Sequence, residues 1–322
     1  MSVKAIERQA QQRIQRGSRV RKHAWVDFVK RHRALYIMLI PGIIYFILFK
    51  YVPLLGSVIA FQDYDIFAGI RGSEWVGLKW FEQLITYPRF MTLLKNTLII
   101  SGYQIVFAFP APIILACLLN ELRHTVFKRI VQTAVYLPHF LSWAIIYGLV
   151  FMLLSPQTGL VNQYIQDWGG KAIPFLQEPD YTRTIIVISG IWKEMGWSAI
   201  IFLAALAGIN PSLYEAAKID GAGRWKQFLH ITLPGLVPAI MILLLLKIGH
   251  ILDSGFEQIY VFLNPLNYSV ADVLDTFAYR AGIIEGEYSL TTAVGLMKSV
   301  VGFLMLIVTN YISKRTTGEG IF

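Results

Sequence analysis

The sequence predicts an all-α integral membrane protein of six transmembrane helices joined by short polar segments. Three observations carry that expectation. Of 322 residues, 55% are hydrophobic and only 15% are charged, whereas soluble domains carry about 25% charged residues. Six apolar stretches, about 34–55, 93–119, 130–154, 183–208, 234–252 and 287–312, approach or exceed the roughly 20 residues a helix needs to cross a bilayer core. Basic residues are unevenly shared between the two sides those spans define. Segments 1–33, 120–129, 209–233 and 313–322 hold 18 Lys and Arg, and the opposite segments hold six. By the positive-inside rule the first set faces the cytoplasm, with both termini.

Taken in order, residues 1–33 form a basic tail with ten Lys and Arg, the main source of the net charge of +9. Charge placed beside a membrane span serves topology and contact with anionic lipid, not nucleic-acid readout. The first span follows a basic lead too long for a secretory signal. Where a small-residue cleavage site would stand, the chain reads Phe49-Lys-Tyr-Val-Pro53. The membrane domain is expected over 34–312, with a short tail at 313–322. Pro41, Pro110, Pro112, Gly190, Gly249 and Gly295 fall inside spans, where neighbouring groups can repair the backbone. The outer segments 56–92, 155–182 and 253–286 carry Trp75, Trp80, Trp168, Pro174 and Pro179, which suit short interfacial helices. Cys117 is the lone cysteine, so neither an intramolecular disulfide nor a cysteine-based zinc site is possible.

The segment 209–233, between the fourth and fifth spans, is the most informative. Asn210-Pro211 is an N-cap followed by proline at the first helical position. Gly221 and Gly223 stop that helix, and Arg224 to Leu233 is expected to form a second short helix before Pro234 opens the fifth span. Ala216 and Ala217 keep one face of the first helix shallow, so that another surface can approach closely. The expected product is a helix–turn–helix elbow at the membrane surface.

Catalysis is not expected. His23, His32, His124, His139, His230 and His250 are scattered without a metal-binding spacing, and neither a phosphate-binding Gly-x4-Gly-Lys-Ser/Thr loop nor a Gly-x-Ser-x-Gly elbow is present. The chemistry of interest lies in charges within spans. Lys193, Lys247 and Lys298 are expected in a similar layer, at 1.5 Å of rise per residue. Each is costly against lipid, so each should face a cavity or a partner. Lys247, His250, Ser254 and Glu257 follow helical spacing, as do Tyr288, Thr291, Gly295, Lys298 and Gly302. Such stripes suit a polar translocation path. A secondary transporter is the alternative, but half-repeats and paired broken helices are not evident. A polytopic membrane enzyme would need clustered His or carboxylates.

Glu215-Ala-Ala, three residues, Gly221, nine residues, then Ile231-x-Leu233-Pro234 resembles the cytoplasmic loop of binding-protein-dependent ABC importer permeases. Leu39-Ile-Pro-Gly42, Phe61-Gln-Asp-Tyr64, Asn96-Thr97 and Tyr136-Leu-Pro138 are similar to the carbohydrate-uptake branch, above all the larger permease of polysaccharide and oligosaccharide import systems. The resemblance implies a type I ABC importer permease fold. It also implies that Glu215, Ala216, Ala217, Asp220, Gly221, Gly223, Leu233 and Pro234 belong to a coupling elbow seated in a separate ATPase. The implied partners are a second permease subunit forming a heterodimer, two ATP-binding subunits and an extracytoplasmic solute-binding protein. No cofactor is expected here, ATP and Mg belonging to the ATPase. On that reading Lys193, Lys247, His250, Lys298, Thr291, Tyr147 and Trp192 line a path for oligosaccharides. Tyr147 and Trp192, with Trp197 and Phe256, would offer flat faces to sugar rings, and the three lysines would form one cationic patch favouring uronates.

Overall fold

The computed structural model describes residues 31–318 and 320; the basic tail expected over 1–33 lies almost wholly outside them. The chain divides into two units, Met1–Val58 and Ile59–Phe322. Among the described residues five continuous helices are long and apolar enough to cross a membrane, and a sixth candidate is a bent pair.

In the first unit, α1 (Arg33–Phe46) passes through a π-helical turn at Ile47–Tyr51 into Val52–Leu55. The π turn has a cause in the sequence. Proline lacks an N–H, and in a regular helix its ring clashes with the carbonyl four residues back. Here Val52, the residue before Pro53, donates instead to the carbonyl five residues back, Ile47. The same device recurs in the second unit. Phe109 donates to Gln104 ahead of Pro110, and Leu233 donates to Phe228 ahead of Pro234. Each wider turn relieves the crowding, and each helix continues through its proline.

The second unit begins with a two-residue hairpin, β1 (Gln62–Asp63) and β2 (Glu74–Trp75), paired antiparallel with Gln62 opposite Trp75. Its role is to tie loops together. Trp80 Nε1 donates to the Gln62 carbonyl at 2.8 Å, from the start of α2 (Lys79–Thr86), and the Tyr64 amide donates to Ser289 Oγ at 3.1 Å. The second span, α3 (Phe90–Glu121), contains the π turn at Gln104–Ala108. Near its start Asn96 donates to the carbonyls of Ser269 and Asp272, and Thr97 Oγ1 accepts from the Leu274 amide. These two residues therefore pin the distant 269–274 segment.

The third expected span, 130–154, is not one helix. α4 (Thr125–Tyr136) tightens into a 3₁₀ turn at Leu137–Phe140, and α5 (Trp143–Leu154) departs at 106°. Leu137, before Pro138, keeps helical dihedrals (φ −54°, ψ −44°), and the chain leaves helix only at Leu141 and Ser142, which are extended. Ser142 then caps α5, its Oγ accepting from the Ile145 amide. α6 (Leu160–Asp167) leads into α7 (Pro179–Ala207), the fourth span. α7 packs along the second half of α3, and Ala116, Ala199, Phe202, Leu206 and Leu236 form one buried cluster there. At Gly196 the approach to α4 is so close that a Cβ would overlap the Val135 carbonyl.

The elbow helix α8 (Pro211–Ile219) is followed by α9 (Arg224–Gly249), and here expectation and structure part. No separate helix spans 224–233. The π turn at Phe228–Thr232 carries the backbone through Pro234, so the elbow's second arm and the fifth span are one rod. α10 (Phe256–Phe262) and α11 (Leu274–Tyr279) lead to the sixth span, α12 (Tyr288–Thr317). α12 packs against α9, and Gly302 lies on the Gly249 carbonyl with no room for a Cβ.

Candidate functional site

The elbow is built as its residue types dictate. Asn210 Oδ1 accepts from the Ser212 amide at 3.0 Å, and Pro211 occupies the first turn, where its missing N–H costs nothing. At the other end Gly221 has φ of +75°, the left-handed region. Its amide donates to Lys218 O at 3.1 Å, and the Ala222 amide donates to Ala217 O at 2.8 Å. That pair of bonds is a Schellman stop, which explains why the motif carries glycine there. Glu215, Ala216, Asp220 and Gly221 are exposed, as are Gly223, Leu233 and Pro234, while Ala217 is half-buried. Tyr214 Oη meets Thr232 Oγ1 at 2.9 Å, and Arg224 lies 3.8 Å from Glu121 at the end of α3. The elbow is thereby tied to α9 and α3. It presents an unsatisfied apolar surface, with Ile219 87% and Trp225 70% exposed.

Between α3, α7 and α9 lies a cleft of about 590 Å³ lined by Gln104, Trp143, Glu194, Ser198, Lys247, His250, Asp253 and Gln258 among others. A second cleft of about 500 Å³ between α9 and α12 holds Lys298, Gly295 and Gly302, and shares Leu246, His250 and Asp253 with the first. Lys247 and His250 therefore line the first cleft, and Lys298 with His250 the second. Asp253, which the sequence reading passed over, stands where they meet. Lys298 Nζ lies 2.6 Å from Asp253 and also bonds Asp275, whose other oxygen accepts from the Ser254 amide. His250 Nδ1 is 3.0 Å from Asp253. Burial would raise the Asp253 carboxyl, but hydrogen bonds from Lys298 and His250 outweigh it and hold the group below the ordinary range.

Other expectations require correction. Lys193 does not share a patch with Lys247 and Lys298. Only 6% exposed, it donates to the His139 and Leu141 carbonyls at 2.6 and 2.7 Å and lies 5.4 Å from the Trp143 ring centre. It is the clasp of the α4–α5 bend, where the backbone leaves helix and its carbonyls need donors. The single cationic patch is also absent, because Lys298 is neutralised by two carboxylates. The stripe through Lys247, His250, Ser254 and Glu257 is interrupted, since α9 stops at Gly249; Ser254 is buried and Glu257 exposed on α10. Thr291 Oγ1 bonds back to the Glu287 and Tyr288 carbonyls of its own turn, and its side chain fills the space a Cβ at Gly282 would need. Tyr147 packs edge-on to Phe262 at 5.2 Å within a core cluster. Trp192 lines a separate, apolar cleft of about 920 Å³ with Tyr181 and Ile188.

The partners that sequence reasoning missed are Gln104, Asp253, Asp275 and Gln258. Each lies on a different segment from the lysine or helix it serves, so no spacing along the chain announces the contact. Gln258 is the clearest case: from α10 it donates to Ile186 O and Ser189 Oγ of α7.

Comparison with known proteins gives a consistent result. Residues 108–318 match the sequence family described as binding-protein-dependent transport system inner membrane component. Protein LplB of Bacillus subtilis (strain 168) is 48% identical, over 93% of this chain and 94% of its own. The polygalacturonan/rhamnogalacturonan transport system permease protein YteP of the same strain is 49% identical, over 94% of both chains. A chain of a bacterial alginate ABC transporter, crystallised in complex with alginate pentasaccharide-bound periplasmic protein, is 41% identical with a TM-score of 0.83. The match covers 92% of this chain and 99% of that one.

Proposed function

This chain belongs to the binding-protein-dependent transport system inner membrane components, and on that footing we propose that it forms half of the path by which an ABC importer takes up uronate-containing oligosaccharides. As a member of that family it is a permease subunit of an importer and not an enzyme; ATP is hydrolysed by a separate subunit. The substrate class is our inference. One observation carries it: over nearly the whole chain, identity exceeds 40% both to a polygalacturonan/rhamnogalacturonan permease and to the permease of an importer of the acidic polysaccharide alginate.

In this reading an extracytoplasmic protein delivers substrate to the end of the membrane domain opposite α8, and a second, related permease completes the path. Two ATPase subunits engage the pair, one of them at α8. The exposed Ile219 and Trp225 suit that contact, since burying apolar surface against a partner is favourable. Because Tyr214 and Arg224 tie the elbow to α9 and α3, a displacement of α8 by the ATPase passes directly into two helices that line the cleft.

The decisive experiment is uptake in vesicles reconstituted with the partner permease, the ATPase and the loaded binding protein, comparing oligogalacturonides with neutral oligosaccharides of equal length. Import of neutral sugars alone would reject the substrate class. Orientation is tested separately. After replacement of Cys117, single cysteines at the exposed positions Phe67, Lys171 and Leu266 should react with an impermeant reagent from outside, and one at Lys218 should not. Outside labelling at Lys218 would reverse the topology.

A further inference from the structure

The α3–α7–α9 cleft contains four ionisable side chains, and three are matched by opposite charge. Glu194 faces His139 at 2.9 Å and Lys193 at 3.7 Å. Asp253 and His250 face each other, and Asp253 also takes Lys298. Lys247 differs. Its Nζ donates to a neutral group, Gln104 Oε1, at 3.1 Å. Gln104 is itself oriented, its Nε2 donating to the Ser254 carbonyl at 3.2 Å, so its oxygen is turned toward the ammonium. The π turn that relieves Pro110 begins at Gln104, which is how a residue mid-span comes to hold this position.

We propose that Lys247, positioned by Gln104, is the site in the cleft that binds the carboxylate of a passing uronate residue. The proposal rests on the acidic-substrate reading above. An ammonium has three donors, and one amide oxygen occupies one of them, leaving two for a carboxylate. A half-buried cation whose hydrogen bond goes to a neutral amide, and on which Asp253 acts only through space, is incompletely compensated, so an arriving carboxylate gains both attraction and a charge-assisted hydrogen bond. Lys193 and Lys298 lack that capacity, being engaged with two carbonyls and two carboxylates respectively. The choice of lysine fits transport. A point charge on a flexible stem holds one oxygen pair weakly enough to release it, whereas a planar arginine would grip bidentately.

The test uses the reconstituted complex with binding protein saturated by an oligogalacturonide or by its methyl ester, which has the same skeleton without the charges. In the wild type the acid should be carried faster than the ester. Lys247→Gln should slow the acid about tenfold and leave the ester unchanged, so that esterification no longer matters; Lys247→Arg should keep the preference for acid. Gln104→Leu should weaken the same preference, narrowing the ratio of acid to ester uptake toward that of Lys247→Gln. Equal slowing of both substrates by Lys247→Gln, with a lower unfolding temperature, would show a counter-ion to Asp253 and overturn the proposal alone. A wild-type complex that carries only the ester would overturn the acidic reading and this site with it.

Discussion

Replacing Lys193 by methionine should destabilise the protein without changing its discrimination of substrate charge. The substitution keeps most of the apolar stem and removes the ammonium. Two hydrogen bonds disappear, at 2.6 Å to His139 O and 2.7 Å to Leu141 O, both at the break between α4 and α5. Bonds from a charged donor contribute about 1.5–3 kcal/mol each, and carbonyls left without a donor cost about 1–3 kcal/mol. Against this, a side chain that is 6% exposed no longer has to bury its charge, which returns several kcal/mol. The net loss is about 2–4 kcal/mol. For a chain of this size that corresponds to a fall of about 3–6 °C in the unfolding midpoint. Scanning calorimetry or fluorescence of the purified complex in detergent measures the shift, and uptake of acidic and neutral oligosaccharides measures selectivity. An unchanged midpoint together with a selective loss of acidic substrate would place Lys193 in the path and refute the clasp.

The remaining expectations follow from similarly specific contacts. Gly196→Ala should cost about 1–3 kcal/mol by overpacking against the Val135 carbonyl, while Gly295→Ala, with nothing within 4 Å of the new Cβ, should leave the midpoint unchanged. Gly221→Ala forces an L-residue to a φ of +75°, at about 1–2 kcal/mol; the last turn of α8 should fray, and substrate-stimulated ATPase activity should fall while protein in the membrane is maintained. Lys298→Gln leaves Asp253 and Asp275 without their shared cation and should lower the unfolding midpoint, an effect that Asp275→Asn in the same chain should partly reverse. Because Asp253 is held below the ordinary carboxylate range, its contribution is present above about pH 4 and is lost as the pH falls further through its depressed value. Asp253→Asn should therefore flatten the acid limb of the stability profile, measured as midpoint against pH.

The amino-acid sequence by itself determined the membrane class, the number of apolar segments and the first helix of the elbow. Those features rest on local physics. An apolar run of about 20 residues satisfies its backbone as helix in a membrane, and Asn210-Pro211 and Gly221 cap a helix with bonds to residues two to five positions away. The partition of the lysines was a different matter. Lys193, Lys247 and Lys298 look alike in sequence, each a cation in an apolar run. Their roles depend on what the fold brings opposite: carbonyls 52 and 54 residues away, an amide 143 residues away, and carboxylates 45 and 23 residues away. The bend at 106° was likewise settled in three dimensions. The extended residues Leu141 and Ser142 make the break, and the clasp from α7 and the close approach at Gly196 hold it open. Pro234 shows the converse. A proline that reads as the start of a span lies inside one helix, because the backbone widens by one residue just ahead of it. Local sequence decides what a segment is able to form; the charge or carbonyl that meets it across the fold decides what it does.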